Sequence, residues 1–111
     1  MFKINNLNKI ILTKGDNAQF DIRIYNKEGE EVEIKPDDVI TLTVKKNADG
    51  EAVITKTAEE LNTIYFIPND TEDLDAGLYV YDIQYENGFG EINTIVSSFF
   101  EIIGEITEWV N

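Results

Sequence analysis

The chain of 111 residues contains no cysteine and no histidine. Without cysteine it can form no disulfide bond, which is the common state of proteins in a reducing compartment. A serine–histidine triad, a thiol nucleophile and a typical zinc site are also excluded, because each requires an imidazole or a thiolate. Ser97 and Ser98 therefore have no imidazole base to activate them. The composition removes the most common catalytic groups.

Positive charge is scarce, and it is confined to the first half of the chain. Nine Lys and Arg stand against 22 Asp and Glu, giving a net charge of −13. No Lys or Arg follows Lys56, so residues 57–111 carry 12 acids and no base, a net of −12. Such a chain repels phosphate backbones and anionic lipids, and we expect no nucleic acid and no membrane among its partners. We expect one acidic end or face, serving either solubility or the docking of a basic partner.

Long apolar runs are also missing. No stretch approaches the roughly 20 apolar residues of a membrane-spanning helix. Residues 1–6 lack the apolar core of a signal peptide, so we expect a soluble chain made in the cytoplasm. The 42% apolar content is ordinary for a globular protein, and the length suits one domain over residues 1–111.

The most strongly patterned stretch covers residues 74–85. Its second half alternates, and one face carries Tyr79, Tyr81, Ile83 and Tyr85. Aromatic residues on one side of a strand are typical of a half-buried sheet. Asp75-x-Gly77-x-Tyr79 at the strand entry is typical of the tyrosine corner of Ig-like sandwiches. We predict a structural corner at Asp75, Gly77 and Tyr79, with the tyrosine hydroxyl bonded to backbone in the preceding loop.

Other strands are predicted by alternation and by turn residues. They cover residues 9–14, 18–24, 32–34, 39–45, 52–56, 62–67 and 92–96. Residues 99–103 either continue the last of these past a bulge near Ser97-Ser98 or form a separate strand. Asn87-Gly88 favours positive φ and closes a hairpin, and one helical turn is possible at residues 57–61. Short strands without amphipathic helices predict an all-β fold, an Ig-like antiparallel β-sandwich of about seven to nine strands.

Four acids, Asp70, Glu72, Asp73 and Asp75, lie within six residues and offer the hard oxygen ligands that calcium prefers. The spacing does not match an EF-hand, because Asp75 occupies the sixth position, where glycine is required. We interpret the segment as a solvated loop, with a calcium site as the alternative. No convergent set of catalytic residues is visible, so we predict no enzymatic activity, no catalytic residue, no cofactor and no tight metal site.

Two large aromatic side chains find no place in the predicted core. Phe89 lies at a hairpin tip and Trp109 lies in the C-terminal tail. Exposed aromatic residues dominate protein interfaces, and sandwiches have open edge strands that can pair. We predict that Phe89 and Trp109 contact a partner, and that the protein associates with itself or with an assembly.

Residues 75–85 read Asp-Ala-Gly-Leu-Tyr-Val-Tyr-Asp-Ile-Gln-Tyr. The motif continues with Gly88, Gly90-Glu91, Thr94, Phe100-Glu101-Ile102 and Glu105-Ile106-Thr107. With Lys14-Gly15-Asp16 after the first strand, this pattern resembles small Ig-like proteins of tailed bacteriophages. It is most similar to the N-terminal domain of siphophage baseplate upper proteins and to related prophage tail or neck proteins. Ser97-Ser98 departs from the family, which often places a glycine before the final strand.

The resemblance implies a non-enzymatic virion structural protein of a tail, baseplate or neck, made in the bacterial cytoplasm. Its implied partners are other phage structural proteins and further copies of itself. Two other interpretations stay open. The chain can instead be a carbohydrate or cell-surface binding module of β-sandwich type, or an enzyme accessory or inhibitor domain with an acidic docking face.

Overall fold

The computed structural model describes residues 1–104, which contain ten strands and one short helix. The first five strands are β1 (Phe2–Ile4), β2 (Ile10–Thr13), β3 (Ala18–Asp21), β4 (Ile24–Tyr25) and β5 (Glu31–Val32). The remaining elements are β6 (Val39–Lys45), β7 (Ala52–Thr57), β8 (Thr63–Phe66), α1 (Pro68–Thr71), β9 (Gly77–Glu86) and β10 (Ile92–Ile103). The predicted all-β class is confirmed, although these residues hold more strands than the seven to nine expected.

Six strands form one large sheet in the order β1-β2-β10-β9-β6-β7, while β3-β8 and β4-β5 form two small sheets. Strand β10 pairs with β2 in parallel, and every other pair in the described residues is antiparallel. The parallel pair is the exception to the predicted antiparallel arrangement. Strands β2 and β10 are not joined by a tight turn, because β3 to β9 lie between them in the chain. They can therefore run in the same direction.

Strand β9 lies at the centre of the large sheet, between β10 and β6. Tyr79, Tyr81 and Ile83 are buried, whereas Leu78 on the opposite face is exposed. The predicted alternation along this strand is therefore confirmed. Burying a wholly apolar side chain such as that of Ile83 stabilises the fold by about 1.5–3 kcal/mol.

The small β3–β8 sheet packs on the inner face of the large sheet through aromatic rings. Phe66 on β8 lies 5.5 Å from Phe100 on β10, measured between ring centroids. Phe20 on β3 stacks on Phe66, and Phe2 stacks on Phe20 in turn. These rings belong to one core that the large and small sheets share.

The helical turn lies at α1 and not at residues 57–61, so that interpretation was wrong. Glu60 and Leu61 have φ values of 53° and 78°, the left-handed conformation that ends a right-handed turn. Pro68 opens α1, where its missing N–H costs nothing. Across residues 1–104, no helix combines the length and the apolar character that crossing a membrane requires.

The last strand, β10, is continuous from Ile92 to Ile103. Its register against β9 shifts between Thr94 and Val96, which places one bulge at Ile95. Of the two interpretations of residues 99–103, continuation past a bulge is confirmed. The bulge precedes Ser97-Ser98 by two residues.

Candidate interaction surface

The predicted corner forms at the start of β9. The Tyr79 hydroxyl donates a 2.7 Å hydrogen bond to the backbone oxygen of Asp75, and the ring is only 5% exposed. Burial, and then the charge of Asp75, raise the pKa of Tyr79. Gly77 has a φ of 149°, a conformation that side chains rarely adopt. The hydrogen bond that we predicted for Tyr79 is confirmed, and it fixes the path by which the chain enters the central strand.

The hairpin tip, residues 87–91, joins β9 to β10. Its side-chain anchor is Asn87, whose Oδ1 accepts hydrogen bonds from the backbone N–H groups of Phe89 (2.9 Å) and Glu91 (3.1 Å). Gly90 supplies the left-handed residue, with φ of 82°, and donates to the Asn87 carbonyl at 3.0 Å. The predicted hairpin is present. The positive φ predicted at Asn87-Gly88 is found instead at Gly90. The Phe89 side chain is 93% exposed.

A second loop of this protein shows that the hairpin tip does not need an aromatic residue in order to fold. In the β4–β5 loop, Asn26 Oδ1 accepts from the N–H groups of Glu28 (3.0 Å) and Glu30 (2.9 Å). Gly29 takes the same φ of 82°. Glu28 thus occupies the position that Phe89 holds in the hairpin tip. The Phe89 ring is therefore free to contact another molecule.

A carboxylate from another loop braces the hairpin tip. Asp38 Oδ1 accepts from the Gly88 N–H at 3.1 Å, and its Oδ2 accepts from the Tyr85 hydroxyl at 2.7 Å and from the Lys35 N–H at 2.9 Å. The backbone bond from Lys35, followed by the Tyr85 bond, lowers the pKa of Asp38. Burial, together with the bond to Asp38, raises the pKa of Tyr85 to about 12. The brace holds the base of the hairpin tip, and with it the position of Phe89.

A groove of about 390 Å³ lies beside the exposed ring, and Phe89, Val32, Lys35 and Tyr85 are among the residues that line it. Asp37 and Glu33 add charge to its walls. An apolar anchor surrounded by charged and polar groups is the usual composition of a protein interface. We call Phe89 and this groove the tip surface.

The four acids considered as calcium ligands do not converge. Asp70 is committed within the fold, because its Oδ2 accepts from the Ile67 N–H at 2.8 Å and pairs with Lys56 Nζ at 3.0 Å. Asp75 uses its backbone oxygen in the corner, and its side chain is exposed. In the described part of the chain, no group of three or more acidic side chains is placed to hold a metal ion.

The acidic residues of the second half do not form a single acidic end. Glu72 and Asp73 lie before the start of β9, at one end of the large sheet, whereas Glu86 and Glu91 lie at the opposite end, beside the hairpin tip. Of the expected acidic end or face, a single acidic end is therefore not formed by the described residues. The sequence could not show this, because β9 carries the chain from one end of the sheet to the other.

Two predicted features lie outside the described residues. These are Trp109, the second proposed partner contact, and Glu105-Ile106-Thr107, the last part of the family motif. The brace between Asp38 and the hairpin tip was missed by the sequence reasoning. No local pattern reveals it, because 47 residues separate Asp38 from Tyr85.

Comparison with protein-family models and with curated proteins finds no match to this chain. The likeness to phage tail proteins therefore rests on the sequence motifs alone.

Proposed function

We propose that the chain is a non-enzymatic structural module of a phage or prophage virion, acting in tail, baseplate or neck assembly. It is made in the bacterial cytoplasm and docks on other phage structural proteins through the tip surface. The observation that carries the proposal is Phe89, an almost fully exposed ring on a loop whose own folding does not require it.

The local structure of the residues that resemble phage tail proteins supports the proposal. Asp75, Gly77 and Tyr79, which open the motif, make the corner hydrogen bond at the entry to β9. Strands β10, β9, β6 and β7 are successive neighbours, as strands G, F, C and C′ are in a variable-type Ig domain. This order supports an Ig-like assignment, and Ig-like modules commonly act by binding other proteins through their loops.

The geometry of the tip surface supports docking rather than catalysis. Asn87 and Asp38 fix the backbone around Phe89 before any partner arrives, so little conformational entropy is lost when the ring is buried. Aromatic anchors of this kind contribute 2 kcal/mol or more to many interfaces. The nearby charged side chains then select the partner by electrostatic complementarity.

The test is binding between this protein and the products of the genes that flank its own. We expect at least one of them to be a tail, baseplate or neck protein that binds the purified chain. Phe89→Ala should weaken that binding at least about tenfold, the effect of losing roughly 1.4 kcal/mol.

Phe99→Ala is the matched control. Phe99 is a half-exposed phenylalanine on the outer face of the large sheet, paired with Val80 and far along the strand from the hairpin tip. Its removal should leave binding unchanged. The proposal fails if no flanking gene encodes a virion component, or if Phe89→Ala and Phe99→Ala bind as tightly as the unmodified chain.

A carbohydrate or cell-surface binding module is the second candidate, because of a groove of about 610 Å³ elsewhere on the molecule. Tyr25, half-exposed, lines this groove together with Asp21 and Arg23. An aromatic ring, a carboxylate and a guanidinium that line one groove offer stacking and hydrogen bonding to a sugar. Glycan-array binding that disappears in Tyr25→Ala and persists in Phe89→Ala would favour this candidate.

A further inference from the structure

We propose that residues 92–97 of β10 pair antiparallel with the same residues of a second copy, joining two large sheets across a two-fold axis. We call these residues the open edge. The inference goes beyond docking at the tip surface, because it concerns a different part of the molecule and a different partner.

The open edge follows from the unequal lengths of neighbouring strands. Strand β10 pairs with β9 along nearly its whole length, but β2 pairs only with Phe100–Ile103 on its other side. The loop before β2 reaches two residues further, where Ser98 Oγ donates to the Leu7 carbonyl at 2.9 Å. Within residues 1–104, no strand pairs with that side of residues 92–97. Unpaired backbone groups of this kind are a template for another strand.

Both outer strands of the large sheet carry features that discourage pairing. Strand β1 has only three residues. Strand β7 carries Lys56, whose ammonium group pairs with Asp70 on α1. Very short strands and charged residues on an edge are two ways in which natural proteins block association. The open edge has neither a charge nor a proline, and its one irregularity is the bulge at Ile95.

Charge identifies the second copy as the occupant. Residues 92–100 are nine consecutive uncharged residues inside a half of the chain with net charge −12. Self-pairing about an axis between Thr94 and Ile95 sets Ile92 opposite Ser97 and Asn93 opposite Val96, so no like charges meet. A contact that brought acidic side chains of the two copies together would instead cost free energy. A basic partner strand would find no complementary charge along this segment.

Self-pairing would also cover apolar surface. Ile95 and Val96 are partly exposed and line the 610 Å³ groove together with Ile4 and Ile24, while Ile92 is exposed on the other face. These β-branched residues suit a strand in a sheet. Because a two-fold contact uses the open edge of both copies, it produces a closed dimer rather than a fibre.

The test is sedimentation equilibrium of the whole chain over a concentration series at low and high salt. We expect a reversible monomer–dimer equilibrium that strengthens with salt, because salt screens the repulsion between two acidic copies. Thr94→Lys should weaken the dimer at least about tenfold, because two lysines would lie next to each other across the axis. Asn93→Lys, an independent variant on the same edge, should act in the same direction.

Thr55→Lys is the matched control. Thr55 is exposed on β7, at the other side of the large sheet, and the substitution changes the net charge by the same amount. It should leave the dimer unchanged. A mixture of Thr94→Lys and Thr94→Glu chains should form heterodimers, because opposite charges then meet across the axis. Thermal melting shows whether each variant is folded.

Three results would overturn the inference: a strict monomer at every concentration and salt, a folded Thr94→Lys chain that dimerises like the unmodified chain, or a dimer weakened by Thr55→Lys instead. The tip surface is tested separately. If the open edge is wrong and the proposed function is right, the monomer still binds a virion protein through Phe89. If the reverse is true, the dimer forms and no such binding is found.

Discussion

The carboxylate of Asp38 accepts a hydrogen bond at 2.7 Å from the hydroxyl of Tyr85, which lies 47 residues later in the chain. The bond connects the loop before β6 to the base of the hairpin tip. Because the same carboxylate accepts the Gly88 N–H, its charge state influences the loop that presents Phe89. The structure of the tip surface thus depends on a residue remote from Phe89 in sequence.

Acid should loosen the hairpin tip. The pKa of Asp38 is lower in the folded protein than its ordinary value of 3.8, mainly through the Lys35 N–H. The stabilisation is therefore present above pH about 4 and is lost as the pH falls through the lowered value. We expect the amide signals of Gly88 and Phe89 in NMR spectra to shift together at acid pH. Asp38→Asn should abolish that titration, whereas Asp37→Asn should leave it; an unchanged titration in Asp38→Asn would disprove the brace.

Alkaline pH should destabilise the fold, and two tyrosines should contribute most. Burial raises the pKa of Tyr81 to about 12, and burial with the Asp38 bond raises that of Tyr85 to about 12. A raised pKa contributes stability that is complete below the unfolded value of about 10 and is lost as the pH rises through the folded value. We expect the free energy of unfolding to fall between pH 10 and 12. Urea unfolding at several pH values measures it, and Tyr81→Phe should flatten the dependence.

Tyr79→Phe should lower the free energy of unfolding by about 1 kcal/mol, the net value of one hydrogen bond. The substitution removes only the hydroxyl that donates to Asp75, and the ring stays buried. Tyr25→Phe is the control, because its side chain is 55% exposed and should contribute little. Equal stabilities of Tyr79→Phe and the unmodified chain in urea would show that the corner hydrogen bond does not stabilise the fold.

Calcium should bind weakly and without preference over magnesium. Asp70 is already paired with Lys56, and the remaining acids of its segment do not converge. We expect each ion to raise the melting temperature slightly and by a similar amount, through general screening of the −13 charge. Calorimetric titration measures the affinity. A micromolar affinity for calcium with clear discrimination against magnesium would contradict the account.

Local patterns predicted the features that adjacent residues determine. Alternation placed the faces of β9, and Asp75-x-Gly77-x-Tyr79 predicted the corner bond, since each depends on residues a few positions apart. The parallel pairing of β2 with β10 was not foreseen, because it joins segments some ninety residues apart. An open edge was expected, but its place on β10 was not, because it depends on β2 being shorter than the strand with which it pairs.

Mass spectrometry of purified particles tests the proposal that this protein is a component of a virion. Particles would be induced from a bacterium that carries the gene and separated from the lysate by density. We expect peptides of this chain in the particle fraction, in constant ratio to tail proteins, and we expect them to be lost from particles when Phe89 is replaced by Ala. A chain abundant in the lysate and absent from intact particles would contradict it.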